Sequence, residues 1–224
     1  MSGEQQSSIS KNDKQHKQLQ AILYAIQQYP KITRTKLMKY VFFIDLFMYN
    51  TNEQTLLDDT YVRNAYGPVP QYGFAVTEKK ASPGKFSVEL CKDGEYIYYK
   101  FTLSEGVEPD ISIFTPFEKD LLKLALNMVK IKTASDLSSY THEFDLWKKH
   151  QNGDTIPTEE FKLSPNEMKK LEFLLRTKIY VESVNPKGLN PKGFIQKFKD
   201  YYEDEETKKE RKERKEWPIQ RLPK

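Results

Sequence analysis

The sequence carries almost no material for a catalytic or metal centre. Only one residue is a cysteine, Cys91, and only three are histidines, His16, His142 and His150. A single thiol cannot form an intrachain disulfide and fits a reducing compartment. The histidines are too dispersed to suggest zinc ligation, which usually draws on closely spaced Cys and His pairs. Glycines number nine and form no phosphate-cradling loop, and His-Glu-x-x-His, Gly-x-Ser-x-Gly and Cys-x-x-Cys are all missing. The expectation is a protein with no catalytic residues, no cofactor and no metal.

Long apolar runs are missing too. The densest stretch, residues 37–48, is interrupted by Lys39 and Asp45. It is shorter than the ~20 largely apolar residues needed to cross a bilayer. The first eighteen residues offer no apolar segment for secretory export. These features predict a cytoplasmic protein that does not engage a membrane. The excess of charge is also small, 36 basic residues against 32 acidic, net +4. Residues 1–40 are locally basic, with Lys11, Lys14, Lys17, Lys31, Arg34, Lys36 and Lys39 against Glu4 and Asp13. Such a half-patch could meet phosphates or an acidic protein, or keep an arm in solution.

What is present is a nearly continuous supply of apolar positions from Leu19 to Phe198, which argues for one core. The organisation expected is a flexible basic arm over 1–18, a globular domain over 19–198 and a charged extension over 199–224. Leu19, Ile22, Leu23, Ile26 and Tyr29 recur at helical spacing until Pro30. Thr33 can cap a second helix whose apolar residues cover nearly every face, and that pattern predicts the central helix of the core. Tyr66-Gly67-Pro68-Val69-Pro70 reads as a rigid turn with Tyr66 and Tyr72 packed beside it. Phe86, Val88 and Leu90, then Tyr96 and Tyr98, alternate on either side of Lys92-Asp93-Gly94 and predict a tight β-hairpin, with Ile97, Tyr99 and Phe101 lining the other face. Thr115-Pro116-Phe117-Glu118, Thr133 with Asp136, and Ser164-Pro165-Asn166-Glu167 each open a further helix. A short helix near Phe194–Phe198 and a lone charged helix over 199–216 complete the prediction. The fold class is mainly α (α+β), a compact helical domain with a small antiparallel β-hairpin or sheet and a charged C-terminal helix.

Candidate functional residues follow from polar groups in apolar settings and from aromatics near fixed turns. Asp45 interrupts the most apolar helix, so its carboxylate needs partners. An ion pair, with Arg63 or with support from a tyrosine, is the favoured account. Cys91 reads as a buried or edge thiol. His142 is expected to cap or join a polar network beside Trp147, with a contact surface as the competing reading, which Tyr61, Tyr66, Tyr72 and Tyr140 support modestly.

Three stretches together resemble the Panacea domain, the SocA-like antitoxin-associated family. They are Leu37-Met38-Lys39-Tyr40-Val41-Phe42-Phe43-Ile44-Asp45, then Tyr66-Gly67-Pro68-Val69-Pro70 with Arg63 before it, and Leu137-Ser138-Ser139-Tyr140-Thr141-His142 followed by Trp147-Lys148. Their order and spacing resemble the family pattern over roughly residues 19–150. The resemblance implies a largely helical domain with a small sheet, a cytoplasmic location and a cognate protein toxin as partner, including toxic small alarmone synthetases. It places Asp45, Arg63, Tyr66, Gly67, Pro68, Tyr72, Tyr140, His142 and Trp147 as candidate motif or partner-binding positions. It also admits an adaptor that delivers its partner to a protease, and self-association stays open. The alternative reading is a DNA-binding regulator, since two N-terminal helices and a hairpin have a winged-helix flavour and Arg34, Lys36 and Lys39 could reach phosphates.

Overall fold

The computed structural model describes residues 11–78 and 84–174, all within the compact unit Met1–Pro186; the chain's second unit is Lys187–Lys224. The helices expected near Phe194–Phe198 and over 199–216 lie outside the described residues. Helix α1 (Lys11–Gln28) begins eight residues before the apolar periodicity does. Gln18 and Gln20 on it are buried, so its polar first half also packs.

Helix α2 (Arg34–Asn52) starts where Thr33 Oγ1 accepts the Lys36 amide. Twelve of its nineteen residues are buried, so it is surrounded, as its all-round apolar pattern predicts. Phe42 is its hub, with ring centroids of Phe43, Tyr61, Phe144 and Phe161 at 5.4, 5.9, 6.3 and 5.6 Å. Truncating such a ring typically costs ~3–5 kcal/mol, because neighbours only partly refill the space.

The segment 61–70 is more ordered than a turn. Strand β1 (Tyr61–Asn64) pairs antiparallel with β2 (Gly67–Pro70), leaving Ala65 and Tyr66 as the connection. Gly67 supplies the left-handed step at φ +101° that a side chain disfavours. Pro68 and Pro70 are tolerated because β2 is an edge strand of the sheet β2-β1-β5. Short α3 (Gln71–Val76) follows; its cap residue, Pro70, has no side-chain acceptor, and Asp59 accepts the Tyr72 and Gly73 amides instead, each at 2.9 Å.

Strands β3 (Phe86–Asp93) and β4 (Tyr96–Leu103) form the expected hairpin, closed by Gly94 and Glu95 with Gly94 at φ +59°. Its base is core, with Phe86 and Phe101 buried, while Leu90 and Ile97 near the tip are exposed. Arg34 straps the hairpin to α2, its guanidinium 3.7 Å from the Tyr99 ring and hydrogen-bonded to the Thr77 carbonyl at 2.6 Å.

Helix α4 (Pro116–Ile131) has the predicted capping box of Thr115 and Glu118, and Glu118 also pairs with Lys17 at 2.7 Å. Helix α5 (Ala134–Thr141) has a second box, Thr133 with Asp136. The chain then turns and starts again as α6 (Asp145–Lys148). Strand β5 (Thr155–Ile156) joins β1, and a 3-10 turn, Thr158–Phe161, leads to α7 (Pro165–Leu174). Asn50 stitches this return onto α2, donating to the Phe161 carbonyl at 2.7 Å and accepting the Leu163 amide at 2.9 Å. Among the described residues no helix is long and apolar enough to cross a membrane. The mainly helical α+β class is as expected.

Candidate functional site: a clamped turn over a buried lysine

The two-residue connection between β1 and β2 is held from one side by the end of α5 and by α6. His142, the C-cap of α5, sets its ring against the Ala65 backbone. Trp147 Nε1 on α6 donates to the preceding carbonyl, Asn64, at 3.0 Å. The two rings stack on each other, centroids 3.8 Å apart and planes 16° from parallel. The Arg63 guanidinium lies 3.9 Å from the Trp147 ring centroid, a cation–π contact that fixes an otherwise flexible side chain. Its loose bond to Asn152 Oδ1, 3.4 Å, adds little.

Helix α6 is only four residues long and its cap residue, Phe144, has no acceptor. Glu167 supplies one from α7: Oε1 accepts the Asp145 amide at 2.6 Å, while Oε2 accepts the Ser164 amide at 2.8 Å and its hydroxyl at 2.5 Å. One carboxylate thus serves the N-termini of two helices, where exposed amides and the helix dipole favour negative charge. Trp147 is positioned by that arrangement.

Beneath the turn lies Lys39, which is 1% exposed. Its ammonium group and Thr141 Oγ1 converge on the bare Cα of Gly67, and a Cβ there would collide with both. Thr141 is itself held by donating to the Ser138 carbonyl at 2.9 Å. Nζ of Lys39 has no hydrogen-bond partner, and burial pulls its pKa down from 10.5 to about 7. His142 is also lowered, first by burial and then by the charges of Lys39 and Arg63, with the Ala65 backbone opposing. Nε2 of His142 and Nε of Arg63 are buried without partners as well. Tyr66, expected to pack beside the turn, instead crowns it with 69% of its surface exposed, because the space under the turn is filled by Lys39 and Thr141.

Of the sequence-selected residues, Arg63, Tyr66, Gly67, His142 and Trp147 meet here, and Pro68 continues β2 directly after. Tyr140 lies to one side: its ring is edge-on to Phe144 at 5.2 Å, and burial followed by the Glu167 charge raises its pKa. Tyr72 lines a different cleft of about 630 Å³ with Lys14, Asp58 and Asp59, and burial raises its pKa too. Asp45 stands elsewhere again, and the expected ion pair is not made. Its oxygens accept the Leu57 amide at 2.7 Å and the Tyr61 hydroxyl at 2.8 Å, while Arg63 is occupied on Trp147. Without a cation beside it, burial pushes Asp45 up to about 7.

Lys39, Asn64, Thr141 and Glu167 were not among the selected positions. A lysine within an all-round apolar helix is the one signal that could have singled out Lys39. The three cations expected to reach phosphates are otherwise engaged: Lys39 is buried, Arg34 straps the hairpin, and Lys36 reaches the Tyr29 hydroxyl at 3.3 Å. Cys91 is partly exposed on β3. Among the described residues no group of three or more His, Cys, Asp or Glu could hold a metal ion.

The arrangement joins the three sequence stretches into one unit: Lys39 from α2, the Tyr66-Gly67-Pro68 turn, and Thr141-His142 with Trp147. It can hold a loop rigid and display it. No curated protein and no solved structure matches the chain. The family model described as "Antitoxin SocA-like, Panacea domain" matches residues 37–148, half of the chain, and spans all three stretches.

Proposed function

Because the chain belongs to the SocA-like Panacea antitoxin family, we propose that it neutralises a toxic enzyme by direct, stoichiometric contact through the surface that Tyr66 crowns. The antitoxin role and a toxin partner come with the family; the mode of binding and the surface are the proposal. The observation that carries it is the exposure of Tyr66 on a turn that Trp147 holds at the Asn64 carbonyl and that Lys39 and Thr141 back at Gly67. A rigid, exposed aromatic loses little conformational entropy on docking, and Tyr, Trp and Arg supply most strong anchors at protein interfaces. Occluding an active site needs no bond making by the binder, so the protein acts without being an enzyme. An interface of ~1,600 Å² in total is sufficient for such inhibition.

The partner is taken to be a toxic enzyme such as a small alarmone synthetase. Co-expression with the protein encoded beside it, followed by pull-down and growth rescue, tests the reading. A co-purifying complex together with restored growth is expected; absence of both refutes it. The half-life of the toxin separates direct inhibition, which leaves it unchanged, from delivery to a protease, which shortens it.

A further inference from the structure

The cluster beneath Tyr66 holds cationic groups and no counter-charge. Among the described residues none of the ion pairs involves Lys39, Arg63 or His142. The nearby carboxylates are committed: Glu143 pairs with Lys170 at 3.1 Å, Glu167 serves two helix N-termini, and Asp154 accepts the Gln151 amide at 2.7 Å. The charges that lower His142 are those of Lys39 and Arg63, and both are positive. One buried nitrogen on each of the three side chains is unpartnered.

Burial makes Lys39 and His142 give up their protons more readily than usual, while Arg63 stays charged beside them with no carboxylate paired to it. We propose that this cluster receives a carboxylate from the protein partner, an Asp or Glu side chain that seats beside Tyr66 and accepts from the Arg63 guanidinium, above Lys39 and His142. The inference rests on the antitoxin reading above and adds the chemistry of the partner's contact. Arg63 is prepared for the role: its guanidinium rests 3.9 Å from the Trp147 ring centroid, which restrains the side chain, so its remaining N–H groups meet a carboxylate with little further ordering. Nucleic acid fits less well. A strand needs a track of cations along its phosphates, and Arg34 and Lys36 on the same helix as Lys39 are engaged within the fold.

Two arms test the proposal on the full chain. In the first, NMR signals of the Trp147 indole and the His142 ring are followed while N-acetylglutamate amide, or N-acetylglutamine amide as uncharged control, is added; Trp217→Phe removes the other indole. Shifts with the glutamate compound alone, lost in Arg63→Gln, are expected. No shift with either compound, or equal shifts with both, overturns the proposal. In the second arm the affinity for the toxin that the protein neutralises is measured. Arg63→Gln is expected to weaken it by roughly thirtyfold or more, with binding recovered by Arg63→Glu against an Asp→Lys or Glu→Lys toxin. Thermal melting of the free variants checks that they fold. Toxin binding that is indifferent to Arg63→Gln but lost in Tyr66→Ala overturns the carboxylate and leaves the antitoxin reading standing. Failure to bind any toxin refutes the antitoxin reading, and the first arm still decides whether the cluster takes a carboxylate. Loss of binding to a labelled 20-mer RNA or DNA duplex in Arg63→Gln, with toxin affinity unchanged, assigns the cluster to nucleic acid and overturns the proposal.

Discussion

At the scale of single residues, two ionisable groups on α2 are held against their chemistry and in opposite directions. Asp45 is raised from 3.8 to about 7, so between those values the folded state holds the proton more than the unfolded chain does. Its contribution to stability falls as pH rises through that window. Lys39 is lowered from 10.5 to about 7, so above pH 7 the folded state has shed a proton that the unfolded chain keeps. Its contribution rises across the window from about 7 to 10.5. Together they predict a minimum near pH 7 in their joint contribution to unfolding free energy, with limbs on the order of a few kcal/mol. Urea denaturation across the range checks this. Asp45→Asn is expected to flatten the acid limb, its amide donating to the Tyr61 oxygen while that hydroxyl turns to the Val41 carbonyl, already 3.4 Å away. Lys39→Met is expected to flatten the alkaline limb. Unchanged limbs in both variants contradict the burial account.

Gly67 is the second test at this scale. Gly67→Ala places a methyl group on Lys39 and Thr141 at a φ of +101°, so two penalties combine. A loss on the order of 2–4 kcal/mol is expected from strain and overpacking. Denaturation of Gly67→Ala with Lys39→Ala should return only the Lys39 share of the collision, because the Thr141 contact and the backbone strain remain. Full recovery in the double variant would mean that the left-handed step is unimportant.

At the scale of elements, Glu167 joins two helix starts that are distant in sequence. Glu167→Ala removes the acceptor for the Asp145 and Ser164 amides at once and is expected to cost ~2 kcal/mol, about twice a single cap. It should also loosen Trp147, read as a change in indole fluorescence before global unfolding; silence in that signal means α6 holds itself. Elements specified locally were legible in the sequence. Thr33, the Thr115–Glu118 and Thr133–Asp136 boxes and the Asp93-Gly94 hairpin are each short-range signals, and each appears where its residues stand. Strands β1, β2 and β5 were not legible. They are two to four residues long, β2 is half proline, and β5 pairs with β1 across ninety residues of chain, so what makes them strands is the partner. The borrowed caps from Asp59 and Glu167 escape sequence reading for the same reason. For Asp45 the sequence indicated the need for a partner, and a tyrosine was among the candidates. It did not indicate that Arg63 would be drawn away to Trp147. Lys39 was read as a surface charge because lysines usually are; the apolar residues on every side of it were the contrary signal.

At the scale of the whole molecule, the polar cost concentrated around the turn is offset by the aromatic core on α2, which keeps the display surface rigid. The motif residues are largely internal to that surface. Gly67, Thr141 and His142 lie within or under the turn, whereas Tyr66 is its large side chain left outside. Substituting the inner residues should therefore change stability and binding together, and substituting the outer one should change binding alone. The most direct measurement is the affinity of Tyr66→Ala for the neutralised toxin, taken alongside its melting temperature. The account predicts binding weakened by roughly thirtyfold or more, as for a buried aromatic anchor, with melting unchanged. Wild-type affinity in Tyr66→Ala would contradict it.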